Sequence, residues 1–215
     1  FPRLPQAVKI ILAINVVVFL LQLAIGGLLA PMMLWPIGGA DAGGLGFQPW
    51  QLVTYGFMHD PRNLAHLLFN MLALVMFGSQ LEYTWGTKRF VTYYLVCVVG
   101  AGLCQLTVVT WSLAQGAFPY PTLGASRGVF GLLLAYGLLF PNQRIMLLFP
   151  PIPMRARTLV IVYGLVELVL GITGTRSGVA HFAHLGGMLF GWLLIQHWRG
   201  RPPFNRRRGG HVRRL

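Results

Sequence analysis

The chain has 215 residues, 55% of them hydrophobic and 10% charged, with a mean hydropathy of +0.64. Soluble domains carry about 25% charged residues, so a disordered chain and an ordinary soluble enzyme are both excluded as first expectations. The 17 Lys and Arg against 4 Asp and Glu give a net charge of +13, which points to nucleic acid unless the positions of the charges explain it.

Taken in chain order, six apolar stretches predict membrane helices, at about 8–27, 63–80, 90–113, 126–141, 158–173 and 181–198. A spanning helix needs about 20 mostly apolar residues. The fourth and fifth are short, which suits helices that begin below the membrane surface in a protein-lined cavity. An even number of spans puts both termini on one side. Arg3 and Lys9, Lys88 and Arg89, Arg144, Arg155 and Arg157, and seven arginines in 199–215 then share one face. The positive-inside rule makes that face cytoplasmic. Only Arg62, Arg127 and Arg176 remain outside this set. The charge is therefore mainly a topology signal, and the lipid bilayer is the expected partner. The chain divides into a membrane domain, 1–198, and a basic tail, 199–215, expected to be disordered and lipid-contacting. Nucleic-acid binding is not expected, because no binding fold accompanies the tail.

The first apolar run is too long for the core of a cleavable signal peptide and lacks a small-residue cleavage site. Cys97 and Cys104 lie seven residues apart on one predicted helix, about 10.5 Å along its axis. That is too far for a disulfide. The outer connection 28–62 carries Leu34, Trp35, Phe47, Trp50, Leu52, Tyr55 and Phe57, a composition that suits a loop set into the outer leaflet. The outer connection 114–124 is a Gly/Pro-rich turn, and the cytoplasmic segment 149–157 is a proline-stiffened one.

Polar groups inside membrane spans are costly and usually functional. Here they are His66 and Asn70 in the second span, Ser126 at the start of the fourth, Glu167 in the fifth, and His181 and His184 in the sixth. The second, fourth and sixth spans all run from outside to inside, so His66, Ser126 and His184 fall at a similar depth. A serine hydroxyl becomes a useful nucleophile beside a base, and a histidine is that base. His66 and Asn70 share a helical face. Both are candidate oxyanion donors together with the Ser126 N–H at a helix start. No carboxylate is predicted at this depth and Glu167 has no evident partner, so a Ser–His dyad is expected rather than a triad. A metal site built from His59, His66, His181 and His184 is the weaker alternative, since no HExxH pattern or Cys pair accompanies them. No metal or cofactor is expected. Ala183, Gly187 and Gly191, with Gly124, Gly128, Gly131 and Ala135, form small-residue stripes that let helices approach closely and would bring Ser126 toward His184.

Together these motifs resemble the rhomboid intramembrane serine proteases, over about 50–198. His66-Leu-Leu-Phe-Asn70 matches HxxxN, and Gly124-Ala-Ser126 with Val129-Phe130-Gly131 matches the serine motif. Ala183-His184-Leu-Gly-Gly187-Met-Leu-Phe-Gly191 matches AHxxGxxxG, and Glu82-Tyr-Thr-Trp-Gly86 matches ExxxG. Trp50-Gln51 stands where many members have Trp-Arg, and His59 resembles a loop histidine of the family. The resemblance implies an all-α, six-transmembrane-helix bundle with a membrane-embedded first outer loop. It implies an endopeptidase acting on transmembrane protein substrates, with Ser126 as nucleophile and His184 as base. His181 competes for that role but does not fit the AHxxG frame. Oxyanion donors are then His66, Asn70 and the Ser126 N–H, with Phe130, His59 and Gly124 supporting the cleft and Phe130 packing on the His184 ring. The motif departs at Arg127, where the family has glycine. Arg127 is expected either to snorkel into the aqueous cavity or to pry the fourth and sixth helices apart. The second case motivates the alternative of a catalytically impaired relative that binds membrane proteins. A compact six-span chain suits a bacterial inner membrane.

Overall fold

The computed structural model describes residues 3–146, 152–173 and 178–204, with side chains in the last segment from His181 onward. The tail beyond 204, Arg176 and the Pro150-Pro151 pair of the cytoplasmic turn lie outside the described residues.

The protein is a mostly helical bundle, as the apolar runs require, because a helix satisfies its own backbone in lipid. Six long helices appear among the described residues: α1 (Gln6–Ile25), α2 (Leu64–Trp85), α3 (Thr87–Ala114), α4 (Ser126–Leu139), α5 (Ala156–Thr173) and α6 (Gly178–Arg199). A π turn at Leu74–Gly78 interrupts α2. Among the described residues, four segments are long and apolar enough to cross a membrane: Gln6–Met32, α2, α3 and α5. The 14 residues of α4 rise only about 21 Å, short of the ~30 Å hydrocarbon core. The chain feeding α4 must therefore enter the bundle before the helix begins, and that recesses Ser126.

The ExxxG segment ties the first two helices. The Glu82 carboxylate accepts the N–H groups of Ala7 and Val8, each at 2.9 Å, and the Thr87 hydroxyl at 2.8 Å. A carboxylate at the positive end of α1 stabilises it. Gly86, with φ +77°, makes the turn from α2 into α3.

The centre of the bundle is α3, whose Phe90, Tyr93, Tyr94, Cys97, Val98 and Ala101 are all buried. The small-residue stripes are explained largely by this helix. A Cβ on Gly128 would meet Tyr94 at 2.7 Å, on Gly131 Cys97 at 2.4 Å, and on Gly191 Tyr93 at 2.3 Å. Thus α4 and α6 both close onto α3. Gly187 makes the tightest α4–α6 approach, its added Cβ lying 2.2 Å from the Arg127 carbonyl oxygen, and a Cβ on Gly131 would lie 3.3 Å from the Gly187 carbonyl oxygen.

The outer connections form one layer. Leu34 and Thr122 exchange backbone hydrogen bonds at 2.9 and 2.8 Å. The buried Gln51 donates to the Pro31 carbonyl at 3.0 Å and accepts from the Trp35 N–H at 3.1 Å. A neutral amide thus knits the loop. Trp50, Ile37, Leu28 and Phe118 stay exposed on it, the surface expected of a loop in the outer leaflet. On the opposite side, β1 (Arg144–Met146) pairs antiparallel with β2 (Pro153–Arg155).

Candidate active site

Ser126 is the first residue of α4. Gly124, two residues earlier, has φ +135°, a conformation that favours glycine. Its N–H donates to the Tyr55 carbonyl at 3.0 Å, which anchors the approach to α4 on the first outer loop. A Cβ at Gly124 would sit 3.5 Å from Ser126 Oγ, 3.5 Å from His66 Cε1 and 3.3 Å from Arg127 Nη1. Glycine therefore keeps open the space between the serine and His66.

Ser126 Oγ lies 2.8 Å from His184 Nε2, across 58 residues of sequence. The Phe130 ring stacks on His184 with centroids 4.3 Å apart and planes within 7°. Phe130 follows Ser126 by one helical turn, so α4 presents a hydroxyl and a flat apolar wall to the same imidazole.

The other nitrogen of His184 corrects the expectation that no carboxylate lies at this depth. Glu167 Oε2, on α5, is 2.8 Å from His184 Nδ1 and 2.7 Å from His181 Nδ1. His181 thus reaches Glu167, and its ring stands edge-on to His184. Donor atoms of Glu167, His181 and His184 all lie within 4.8 Å of one another, close enough to hold a metal ion.

His66, Asn70 and His59 form the opposite wall. The Asn63 side chain caps α2 by accepting the His66 N–H at 3.0 Å. Asn70 Nδ2 donates to the His66 carbonyl at 2.9 Å and faces His59 Nε2 at 3.5 Å. The His59 and His66 rings tilt together at 5.4 Å. His59 is fully buried, and Gln22 of α1 grips its backbone, donating to its carbonyl at 2.7 Å and accepting its N–H at 2.9 Å. Burial, with His66 as a lesser cause, pushes the His59 imidazole down to about 4, so it is neutral at neutral pH.

Arg127 neither snorkels nor pries. The residue is 3% exposed. Its side chain folds back to donate to the Leu123 carbonyl at 2.8 Å and the Gly124 carbonyl at 3.4 Å, with its guanidinium 5.2 Å from the Tyr55 ring centre. Two peptide dipoles and an aromatic face therefore offset a cation at a helix start. Gly187 still closes on the Arg127 backbone, since the side chain leaves in another direction.

Sequence reasoning left three residues without their partners. Glu167 stood out as a carboxylate in an apolar span, but its partner depends on how α5 is rotated. Gln22 and Tyr55 carried only a weak signal, a polar group within or beside an apolar run.

A rhomboid domain model matches residues 46–199. Rhomboid protein 1, mitochondrial, of Saccharomyces cerevisiae is 32% identical over 156 residues, covering 66% of this chain and 41% of that protein. RHOMBOID-like protein 4 of Arabidopsis thaliana is 30% identical over 165 residues, 76% of this chain and 38% of its own length. Rhomboid protease GluP of Bacillus subtilis is 33% identical over 145 residues, 67% of this chain and 25% of its own. The chain thus spans less than half the length of these relatives. The helices and the matches make this a multi-pass membrane protein. Mitochondrial, plant and bacterial relatives do not support narrowing its location to a bacterial inner membrane. With the family model covering most of its length and relatives at about a third identity, the chain belongs to the rhomboid family.

Proposed function

We propose that this chain is an intramembrane serine endopeptidase that hydrolyses peptide bonds in or near transmembrane segments of other membrane proteins. The observation that carries this is the 2.8 Å contact between Ser126 Oγ and His184 Nε2. His184 accepts the hydroxyl proton as Ser126 attacks the carbonyl carbon, then delivers it to the leaving amine. The oxyanion forms beside the open space at Gly124, facing His66 and the N–H of Ser126. Asn70 joins them by giving up its 3.5 Å contact with His59, the longest in that wall. Residues 1–198 form the membrane domain, with the basic connections and the tail 199–215 on the cytoplasmic face.

A fluorophosphonate probe tests this directly. The unaltered chain is expected to label and Ser126→Ala to stay unlabelled. Equal labelling of both, or none of either, rejects the assignment.

An impaired relative loses its motivation once Arg127 is buried against carbonyls. Arg127→Gly gives the family's glycine but strips the Leu123 and Gly124 carbonyls of their donor. An unsatisfied buried group costs about 1–3 kcal/mol. Arg127→Gly is therefore expected to lower the unfolding midpoint and slow labelling roughly tenfold or more. Faster labelling would mean that Arg127 restrains the site.

A further inference from the structure

We infer that Glu167 is a positioning residue of the same site, so that Ser126, His184 and Glu167 act as a triad and His181 steadies the carboxylate. This rests on the protease assignment above.

Glu167 is one of three buried residues on α5, with Ala156 and Leu159. The rest of that helix is largely apolar and exposed, from Ile161 through Ile172. An inward carboxylate on such a helix is expensive without partners. Its partners are two imidazoles, His181 Nδ1 at 2.7 Å and His184 Nδ1 at 2.8 Å, both on Oε2.

The chemistry of the donors fixes the tautomer. An ionised carboxylate only accepts hydrogen bonds, so a neutral His184 in contact with it carries its proton on Nδ1. The lone pair then lies on Nε2, the atom 2.8 Å from Ser126 Oγ. That is the form able to take the serine proton. Among the described residues, Glu167 is the one partner on the Nδ1 side of His184 that selects it. As the serine oxygen bonds to the carbonyl carbon, its proton moves to Nε2 and the carbonyl π electrons move to oxygen. An imidazolium results, held between a carboxylate on one side and the oxyanion on the other. Glu167 stays ionised throughout and takes no proton. The Nε2 proton leaves with the amine when the C–N bond breaks.

His181 does a separate job. It lies three residues before His184 on α6 and takes the second lone pair of Oε2. Two donors on one oxygen restrain the carboxylate's rotation, so His184 meets a fixed acceptor instead of a mobile one. His181 has no recorded bond to Ser126 among the described residues.

The test uses the full chain in detergent micelles, comparing the unaltered protein with Ser126→Ala, Glu167→Gln, Glu167→Asp and His181→Gln. Glu167→Gln keeps the shape but loses the charge and offers an N–H to an imidazole. It is expected to slow cleavage and fluorophosphonate labelling by about 10²–10⁴-fold, with KM changed less than about twofold because the loss lies in the chemical step. Glu167→Asp recovers part of the rate, and His181→Gln loses far less than Glu167→Gln. Nitrogen chemical shifts of labelled His184 are expected to report the Nδ1–H tautomer in the unaltered protein and a mixed or Nε2–H form in Glu167→Gln. A packing role alone moves neither the tautomer nor the kcat and KM split in this way.

Labelling of Glu167→Gln at the unaltered rate, while Ser126→Ala stays dark, overturns the role of Glu167 and leaves the protease assignment standing. An Nε2–H tautomer in the unaltered protein overturns it as well, even if Glu167→Gln fails to fold. Zinc retained in one-to-one amount and lost in Glu167→Gln makes the cluster a metal site and also overturns it. Absence of labelling in the unaltered protein removes the protease assignment and this role together.

Discussion

His184→Ala is expected to slow peptide cleavage by about 10⁴–10⁶-fold while the bundle stays folded. His184 alone makes a recorded bond to Ser126 Oγ among the described residues. Its removal leaves the serine without a base, and a neutral hydroxyl is a poor nucleophile. His181 does not substitute, because its Nδ1 is committed to Glu167. The fold is expected to survive. α6 is held by the close fit of Gly186, Gly187, Gly191 and Phe190 against α3 and α4, and the lost ring is only partly buried. Because the two groups act as a unit, the double variant Ser126→Ala/His184→Ala should be no slower than either single one. Cleavage rates of the three variants, with unfolding midpoints measured alongside, check this. A double variant much slower than both singles would mean that serine and histidine work independently, and the assignment would fail.

The parts of this site legible in the sequence are those whose meaning is local or set by depth. His66, Ser126 and His184 fall near the outer ends of three helices running the same way, so hydropathy and topology alone align them. Phe130 was implied by the family resemblance, and its place four residues after Ser126 puts it on the same helical face. Glu167 was visible as an unusual residue but not as a partner of His184. That pairing depends on the rotation of α5 and on which imidazole nitrogen faces it, and neither is encoded in spacing. The small-residue stripes were legible as close-packing surfaces, but their main partner was not. Gly128, Gly131 and Gly191 fit the aromatic and cysteine side chains of α3, and no periodicity on one helix names the helix opposite. Arg127 was misjudged for a related reason. A cation at a helix start is unfavourable in isolation, and only the path of the preceding loop reveals the carbonyls that compensate it.

Gly187→Ala is expected to have a large effect, through geometry alone. The new methyl would lie 2.2 Å from the carbonyl oxygen of Arg127 and 3.2 Å from its carbonyl carbon. Both are backbone atoms in the first turn of α4, so no side-chain rotation relieves the overlap. The helices must part by roughly 1 Å to restore ordinary contact. Arg127 immediately follows Ser126, and Gly187 follows His184 by three residues, so the separation falls where the 2.8 Å Ser126–His184 contact is made. Overpacking of this kind costs about 1–3 kcal/mol of stability. A misplacement of about 1 Å costs about a hundredfold in rate. The rate is thus expected to fall more steeply than stability, with most of the loss in kcat. Gly164→Ala on α5 supplies the control. Its Cβ meets nothing nearer than 3.8 Å, and exchanging glycine for alanine inside a helix favours folding by up to about 1 kcal/mol. That variant should keep full activity and melt no lower than the unaltered protein. If Gly187→Ala also kept full activity, the close approach of α4 and α6 would not be what sets the serine against its base. The small-residue stripe would then serve only the packing onto α3.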